Sequence, residues 1–342
     1  MLRTRRALQK WIRLAVKLPL LVSVSLLLAL TPFLAQDQPF RISVDVPAVL
    51  VDAIVLERNG KAVVDIDRSE FEVLEDGVPQ EISYFASTET PRSMLLVFDL
   101  SGSTESQRPF MVQAFNVFLA KMRSQDRVAL ASFAANFQIF MKWRDVHGKS
   151  QDVQVPRSAP YSNVYGAIEQ ATSEFKNEKG RKGMVVMTDG RDTPMFESVV
   201  ASRRIPDIDR DGSFRRVVEN IVKRSIPIYF IALNTDLNRF TPDASIETTS
   251  VEQAMGKGGS EGYLLAVRQR MERLAQATGG AVLYPKTLPE VVSLYETIGR
   301  ELGASYSLGF APKKRPDVGQ VRRIEVRVRR EGVKVIQSRD SY

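Results

Sequence analysis

The stretch Met94–Ser103, MLLVFDLSGS, restricts what this chain can fold into more than any other. Its apolar, uncharged start reads as a strand buried on both faces, which belongs in a parallel sheet covered by helices. The run breaks off into Asp-x-Ser-x-Ser, placing the Asp99 carboxylate and the Ser101 and Ser103 hydroxyls on a tight loop at the strand's carboxyl end. In open α/β sheets, ligands bind along that edge. The arrangement returns at Met184–Met187, a second apolar run that ends in Thr188-Asp189-Gly190. Two such strands can bring Asp99 and Asp189 around one cation. Oxygen-only donors with few carboxylates suit a hard ion such as Mg2+.

Between and beyond these strands the pattern is βα. Phe110, Ala114, Val117, Phe118 and Met122 recur at helical spacing, as do Val164, Ile168, Ala171 and Phe175. Arg127–Ala134 reads as a strand that turns at Asn136 into Phe137–Met141, giving an antiparallel edge hairpin. Ile226–Leu233 is the next strand, and Tyr263–Thr278 is a helix stopped by Gly279-Gly280. Ala281–Tyr284 and Leu288–Leu302 complete the series as strand and helix.

The motif in this setting resembles the metal-ion-dependent adhesion site of the von Willebrand factor type A family. In that family, Asp-x-Ser-x-Ser is joined by a threonine on a second loop and an aspartate on a third. Asp99, Ser101 and Ser103 match the first loop and Asp189 the third. The second loop here is Pro160-Tyr161-Ser162-Asn163-Val164-Tyr165, so Ser162 falls at the threonine position, without the family's two preceding glycines. The resemblance covers Arg92 to Gly303. It implies an α/β fold with a doubly wound, mostly parallel, Rossmann-like sheet, and a site for Mg2+ or Mn2+ formed by Asp99, Ser101, Ser103, Ser162 and Asp189. It further implies a protein partner that supplies an acidic side chain.

Outside that span the pattern changes to short strands. Ile42, Val44 and Val46 alternate with polar residues, and Val51–Glu57 is followed by the turn signal Asn59-Gly60. Phe71 and Val73 lead to a second turn signal at Asp76-Gly77, and Ile82 and Tyr84 follow. After Ser305 the strand pattern returns in Ser305–Ala311, in Ile324, Val326 and Val328, and in Val333–Gln337. Neither end buries enough apolar surface alone, so the two are expected to pack together as one small β module. The expected organisation is a leader over 1–35, an N-terminal β module over 36–92, a type A-like domain over 93–303 and a C-terminal β segment over 304–342. A β module before the domain and a β tail after it resemble exported bacterial proteins related to this family.

The formal charge of +8 invites a search for nucleic acid or a membrane surface. Residues 1–35, however, hold six basic residues and no acidic ones, so the rest of the chain carries only +2. Basic residues followed by the apolar run Leu18–Ala35 read as an export signal cut after Ala35. At about 18 residues the run is also near the lower limit for an uncleaved membrane anchor, the one membrane contact expected. The expected location is the periplasm, the cell envelope or outside the cell. Arg322, Arg323, Arg327, Arg329 and Arg330 alternate with core positions and read as a solvated strand face.

Catalysis is not expected. The chain has no cysteine, and its single histidine, His147, sits in a polar stretch that reads as an exposed loop. Asp207-Ile208-Asp209-Arg210-Asp211-Gly212 resembles the first half of a calcium loop, but position twelve is Val218 rather than glutamate. It reads as a solvated acidic loop without a role in folding. The reading is an exported protein that binds a partner protein through a metal. Its rivals are a structural envelope protein with a vestigial site and a non-catalytic subunit of a metal-dependent enzyme complex.

Overall fold

The computed structural model describes residues 49–146, 153–233, 245–313 and 320–342. The leader, the Ile42–Val46 alternation and His147 lie outside the described residues. Strand β1 (Val49–Glu57) buries Val51, Ala53 and Val55. Strands β2 (Phe71–Glu75) and β3 (Val78–Gln80) form an antiparallel hairpin. Asp76 (φ 49) and Gly77 (φ 81) supply the positive φ pair that a two-residue turn of this kind needs. Strand β4 (Ile82–Ala86) leads into the α/β part.

There, β5 (Arg92–Asp99) is buried along its whole length. It is followed by α1 (Arg108–Ala120), β6 (Arg127–Phe133), β7 (Phe137–Asp145), α2 (Val164–Ser173) and β8 (Arg181–Thr188). Next come α3 (Thr193–Ser202), α4 (Gly212–Val222), β9 (Ile228–Ala232), α5 (Ser245–Met255), α6 (Lys257–Thr278), β10 (Val282–Leu283) and α7 (Leu288–Ala304). The sheet order is β10-β9-β8-β5-β6-β7, with every pair parallel except β6 and β7. Successive residues of β5 serve opposite layers. Met94, Leu96 and Phe98 pack with Phe115 and Phe118 of α1 and Tyr295 of α7, while Leu95 and Val97 pack with Ile168, Val199 and Val267 on the other face. This is a doubly wound sheet. The chain leaves β5 toward β6 on one side and returns on the other side as β8. The strand order therefore reverses between β5 and β8, and ligands bind at such switch points, outside the carboxyl ends of the strands.

The last helix runs into β11 (Ser305–Phe310) without a linker, and β12 (Ile324–Val328) and β13 (Val333–Gln337) follow. Strand β1 lies between β11 and β13 in a sheet ordered β13-β1-β11-β4, and β12 joins β2 and β3 in a second sheet. The two sheets share a core of Val51, Val55, Phe71, Val73, Tyr306, Leu308, Ile324 and Val326. Arg181, at the start of β8, fastens this module to the α/β part. Its guanidinium donates to Leu302 O (3.0 Å), Ser305 Oγ (2.6 Å) and Ser307 Oγ (3.0 Å), all buried. Three of the five arginines around β12 are matched by acids: Arg322 by Glu75 and Asp76, Arg327 by Glu325, and Arg330 by Asp65 and Glu70. Among the described residues, no helix is long and apolar enough to cross a membrane.

Candidate metal centre

Strand β5 ends at Asp99, and the next residue, Leu100, still donates its N–H to Phe133 O of β6 (2.7 Å). The loop then folds back on the carboxylate. Asp99 Oδ1 accepts from the Ser101 N–H at 2.9 Å, and the Ser101 and Ser103 hydroxyls lie 3.2 Å apart. Thr104 locks the turn by donating its hydroxyl to Asp99 O (2.6 Å) and Ser101 O (3.0 Å).

The neighbouring strand β8 reaches the same carboxylate. Thr188 Oγ1 donates to Asp99 Oδ2 at 2.6 Å and accepts from the Gly190 N–H at 2.9 Å. Gly190 has φ 73, and a Cβ there would collide with Met271 and Val267 of α6, so glycine is needed at the turn. Asp189, one residue past the strand, is 1% exposed.

Ser162 sits between these two loops. Ala159 N–H donates to Leu100 O (3.1 Å) on the first loop, and Asn163 N–H to Ala134 O (3.0 Å) past β6. Ser162 itself exchanges two bonds with Thr193 beyond the third loop: its N–H donates to Thr193 Oγ1 (2.9 Å) and its carbonyl accepts from Thr193 N–H (2.8 Å). Asp192 adds a further tie, capping α3 through Met195 N–H (3.3 Å) and holding Val164 N–H at the start of α2 (2.9 Å). Hydrogen bonds to its neighbours thus hold the second loop in place.

All five expected residues lie on three loops stitched together at one edge of the sheet. Ser103 is half-buried and the other four are buried. Burial, followed by the charge of Asp189, pushes the Asp99 carboxyl up to about 7 against the hydrogen bonds from Ser101 and Thr188. Burial pushes Asp192 up to about 6 despite the backbone N–H bonds it accepts. The Ser162 hydroxyl oxygen is buried and has no hydrogen-bond partner among the described residues. Two buried like charges and an unsatisfied buried oxygen form a donor set that a hard cation would satisfy. Among the described residues, no group of three or more acidic, histidine or cysteine side chains gathers as a metal cluster. A site of two carboxylates and several hydroxyls does not require one.

Residues 94–191 match the von Willebrand factor type A domain. The matched span runs from β5 to just past Asp189 and so contains all three loops. With the sheet order above, it identifies the α/β part as a von Willebrand A fold. Among solved structures, the chain is similar to a von Willebrand factor type A protein from Catenulispora acidiphila, at 10% identity and a TM-score of 0.44, over 86% of this chain and 73% of that one. It is also similar to an aerotolerance-related membrane protein from Bacteroides fragilis, at 14% identity and a TM-score of 0.38, over 61% of this chain and 98% of that one. A third is proximal thread matrix protein 1 from the mussel byssus, solved with a zinc-occupied MIDAS motif. It shows 13% identity and a TM-score of 0.43, over 68% of this chain and 50% of that one. At these identities the likeness says nothing of what this chain binds. No curated protein matches the chain.

Three features of the type A domain were not legible in its motif. Thr188, the residue before the second aspartate, joins the two strand ends through its hydroxyl. Arg191 is 1% exposed and its guanidinium lies 3.1 Å from Asp189 Oδ2. The third corrects the reading of the acidic loop. Asp211 caps α4 through Ser213 and Phe214 N–H groups and pairs at 2.8 Å with the buried Arg270, while Asp209 pairs with Arg273 at 2.6 Å. These carboxylates are matched by arginines and one caps a helix, so the loop does contribute to folding. For Arg191, the position two residues after the metal-type aspartate was the one available signal.

Proposed function

We propose that this is an exported, non-catalytic protein that binds a partner protein through a divalent metal. Mg2+ or Mn2+ would be held by Asp99, Ser101, Ser103, Ser162 and Asp189. When bound, the ion supplies a concentrated positive charge that attracts an acidic side chain of the partner. The chain's own residues supply the rest. Asp99 and Thr188 fix the two strand ends, Thr104 closes the first loop, and the Thr193 contacts hold Ser162 in place. One observation carries the reading: two buried carboxylates and an unsatisfied buried hydroxyl, at the switch point of the sheet. Export rests on the basic and apolar leader.

A structural envelope protein with a vestigial site is the second reading, favoured by the arginine that already faces Asp189. Capture from an envelope extract separates the two. Immobilised protein should retain a partner in Mn2+ and release it in EDTA, and an Asp189→Ala variant should retain none. Retention that ignores EDTA and the substitution alike would contradict metal-dependent binding.

A further inference from the structure

A cavity of about 380 Å³ opens between α2, the start of α3, α4 and α6. That volume lies within the range of small-molecule sites. Tyr165, Asp192, Met195, Phe214 and Arg270 are its buried lining residues, and the exposed Ser198 and Ser213 lie where it meets solvent. Tyr165 is 7% exposed, yet its hydroxyl has no hydrogen-bond partner among the described residues. The charges that act on this hydroxyl are those of Asp192, Arg270 and Asp211, the same three charged residues that line the cavity. The hydroxyl thus belongs to the cavity, and a buried hydroxyl without a partner is satisfied by whatever fills the space beside it.

The partners of the lining residues set what can fill it. Arg270 is already answered. Its guanidinium donates to Asp211 Oδ2 (2.8 Å), Pro206 O (3.3 Å) and Ala266 O (3.3 Å), and it lies over the Phe214 ring. Asp192 is answered only by backbone. It accepts from the Val164 and Met195 N–H groups, and the charge of Arg270 stabilises it less than its backbone donors do. The lining therefore sets two carboxylates against one guanidinium, with that guanidinium committed to Asp211. What remains free to bond is mainly acceptor: the unused lone pairs of Asp192 and those of the Tyr165 hydroxyl. Met195, Phe214 and Val217 add apolar wall.

We propose that this cavity is a second binding site, for a small organic ammonium ion: a primary amine carried on an apolar body. The ammonium donates to the Asp192 carboxylate and to the Tyr165 hydroxyl, and the body lies against Met195, Phe214 and Val217. A cation there answers the one carboxylate of the lining that has no counter-charge of its own, in a place where burial makes such an answer count. The proposal is independent of the metal-binding reading and stands or falls without it.

The test is calorimetric titration of the full chain with phenethylamine at about pH 8, where the amine is protonated and Asp192 ionised, with EDTA present to keep metal away. Phenethyl alcohol, which has the same shape without the charge, and phenylacetate, which has the opposite charge, are titrated alongside. The wild type should bind the amine, bind the alcohol at least about tenfold more weakly and leave phenylacetate unbound. Asp192→Asn keeps a residue that caps α3 but removes the charge, and should weaken amine binding about tenfold or more. Tyr165→Phe removes one hydroxyl and should weaken it about threefold to tenfold. Melting curves establish that each variant is folded. Undiminished amine binding by either folded variant would overturn the proposal, as would equal wild-type affinity for amine and alcohol, or no heat at millimolar amine. Should Asp192→Asn fail to fold, Tyr165→Phe and the comparison of amine with alcohol still decide the matter.

Discussion

Asp211 does two things at once. Its Oδ1 accepts the N–H groups of Ser213 and Phe214 at 3.1 and 3.0 Å, and its Oδ2 faces the buried guanidinium of Arg270 at 2.8 Å. Burial acts to raise its pKa, but the Arg270 bond and the backbone donors prevail and hold it below the ordinary value. Asparagine caps a helix as well as aspartate does but brings no charge to Arg270. Asp211→Asn should therefore destabilise the protein by about 2–4 kcal/mol, mainly by leaving a buried guanidinium unanswered. Asp209→Asn removes only an exposed pair and should cost less than about 1 kcal/mol. Denaturant unfolding of the two variants checks this contrast, and equal losses would contradict it. Calcium should leave the melting temperature unchanged in both, because arginines already answer these acids.

At the level of elements, a buried ion pair ties β5 to the turn before β6 and to α7. Asp126 accepts from the backbone and guanidinium of Arg92 and from the Arg123 N–H, and Arg92 also donates to Gly299 O of α7 (3.3 Å). Burial acts to raise the Asp126 pKa, but the Arg92 bonds and charge overcome it, so the folded-state pKa lies below the ordinary value. A depressed carboxylate stabilises the fold above its unfolded-state pKa and loses that contribution as pH falls through the folded-state value. Asp126→Asn should therefore lower stability by about 3–5 kcal/mol at neutral pH. It should also flatten the loss of stability that the wild type shows below about pH 4. Parallel acid slopes in urea titrations would contradict this. Elements of this kind were legible where a strong local signal sat at their ends. Asp76-Gly77, Asn136 and Gly279 each mark the turn or cap that the structure has. The short helices α3 and α5 were not legible, because neither shows a clear apolar stripe. The places of Asp99 and Asp189 at the carboxyl ends of β5 and β8 were legible from the apolar strands before them. The Asp189–Arg191 pair was not, because a charged residue after a glycine turn reads as solvent-facing until the packing of α6 over that turn is known.

Across the whole molecule, the two ends of the chain complete each other. Strand β1 has β11 on one side and β13 on the other, and β2 pairs with β12. Removing residues 304–342 takes away all three of those strands and the serine partners of Arg181. Amides of residues 49–86 should then lose most of their hydrogen-exchange protection, whereas unchanged protection would mean the N-terminal strands stand alone. The candidate site lies at the opposite end of β8 from Arg181, where the β module is fastened. The central claim is that Asp99 and its neighbours bind a metal. Calorimetric titration of Mn2+ into the wild type and Asp99→Asn, matched by circular dichroism and melting temperature, tests it most directly. The wild type should bind the ion and the variant at least about tenfold more weakly, since affinity at oxygen-donor sites follows the number of carboxylate charges. Superimposable titrations, or no heat from the wild type at millimolar Mn2+, would contradict it.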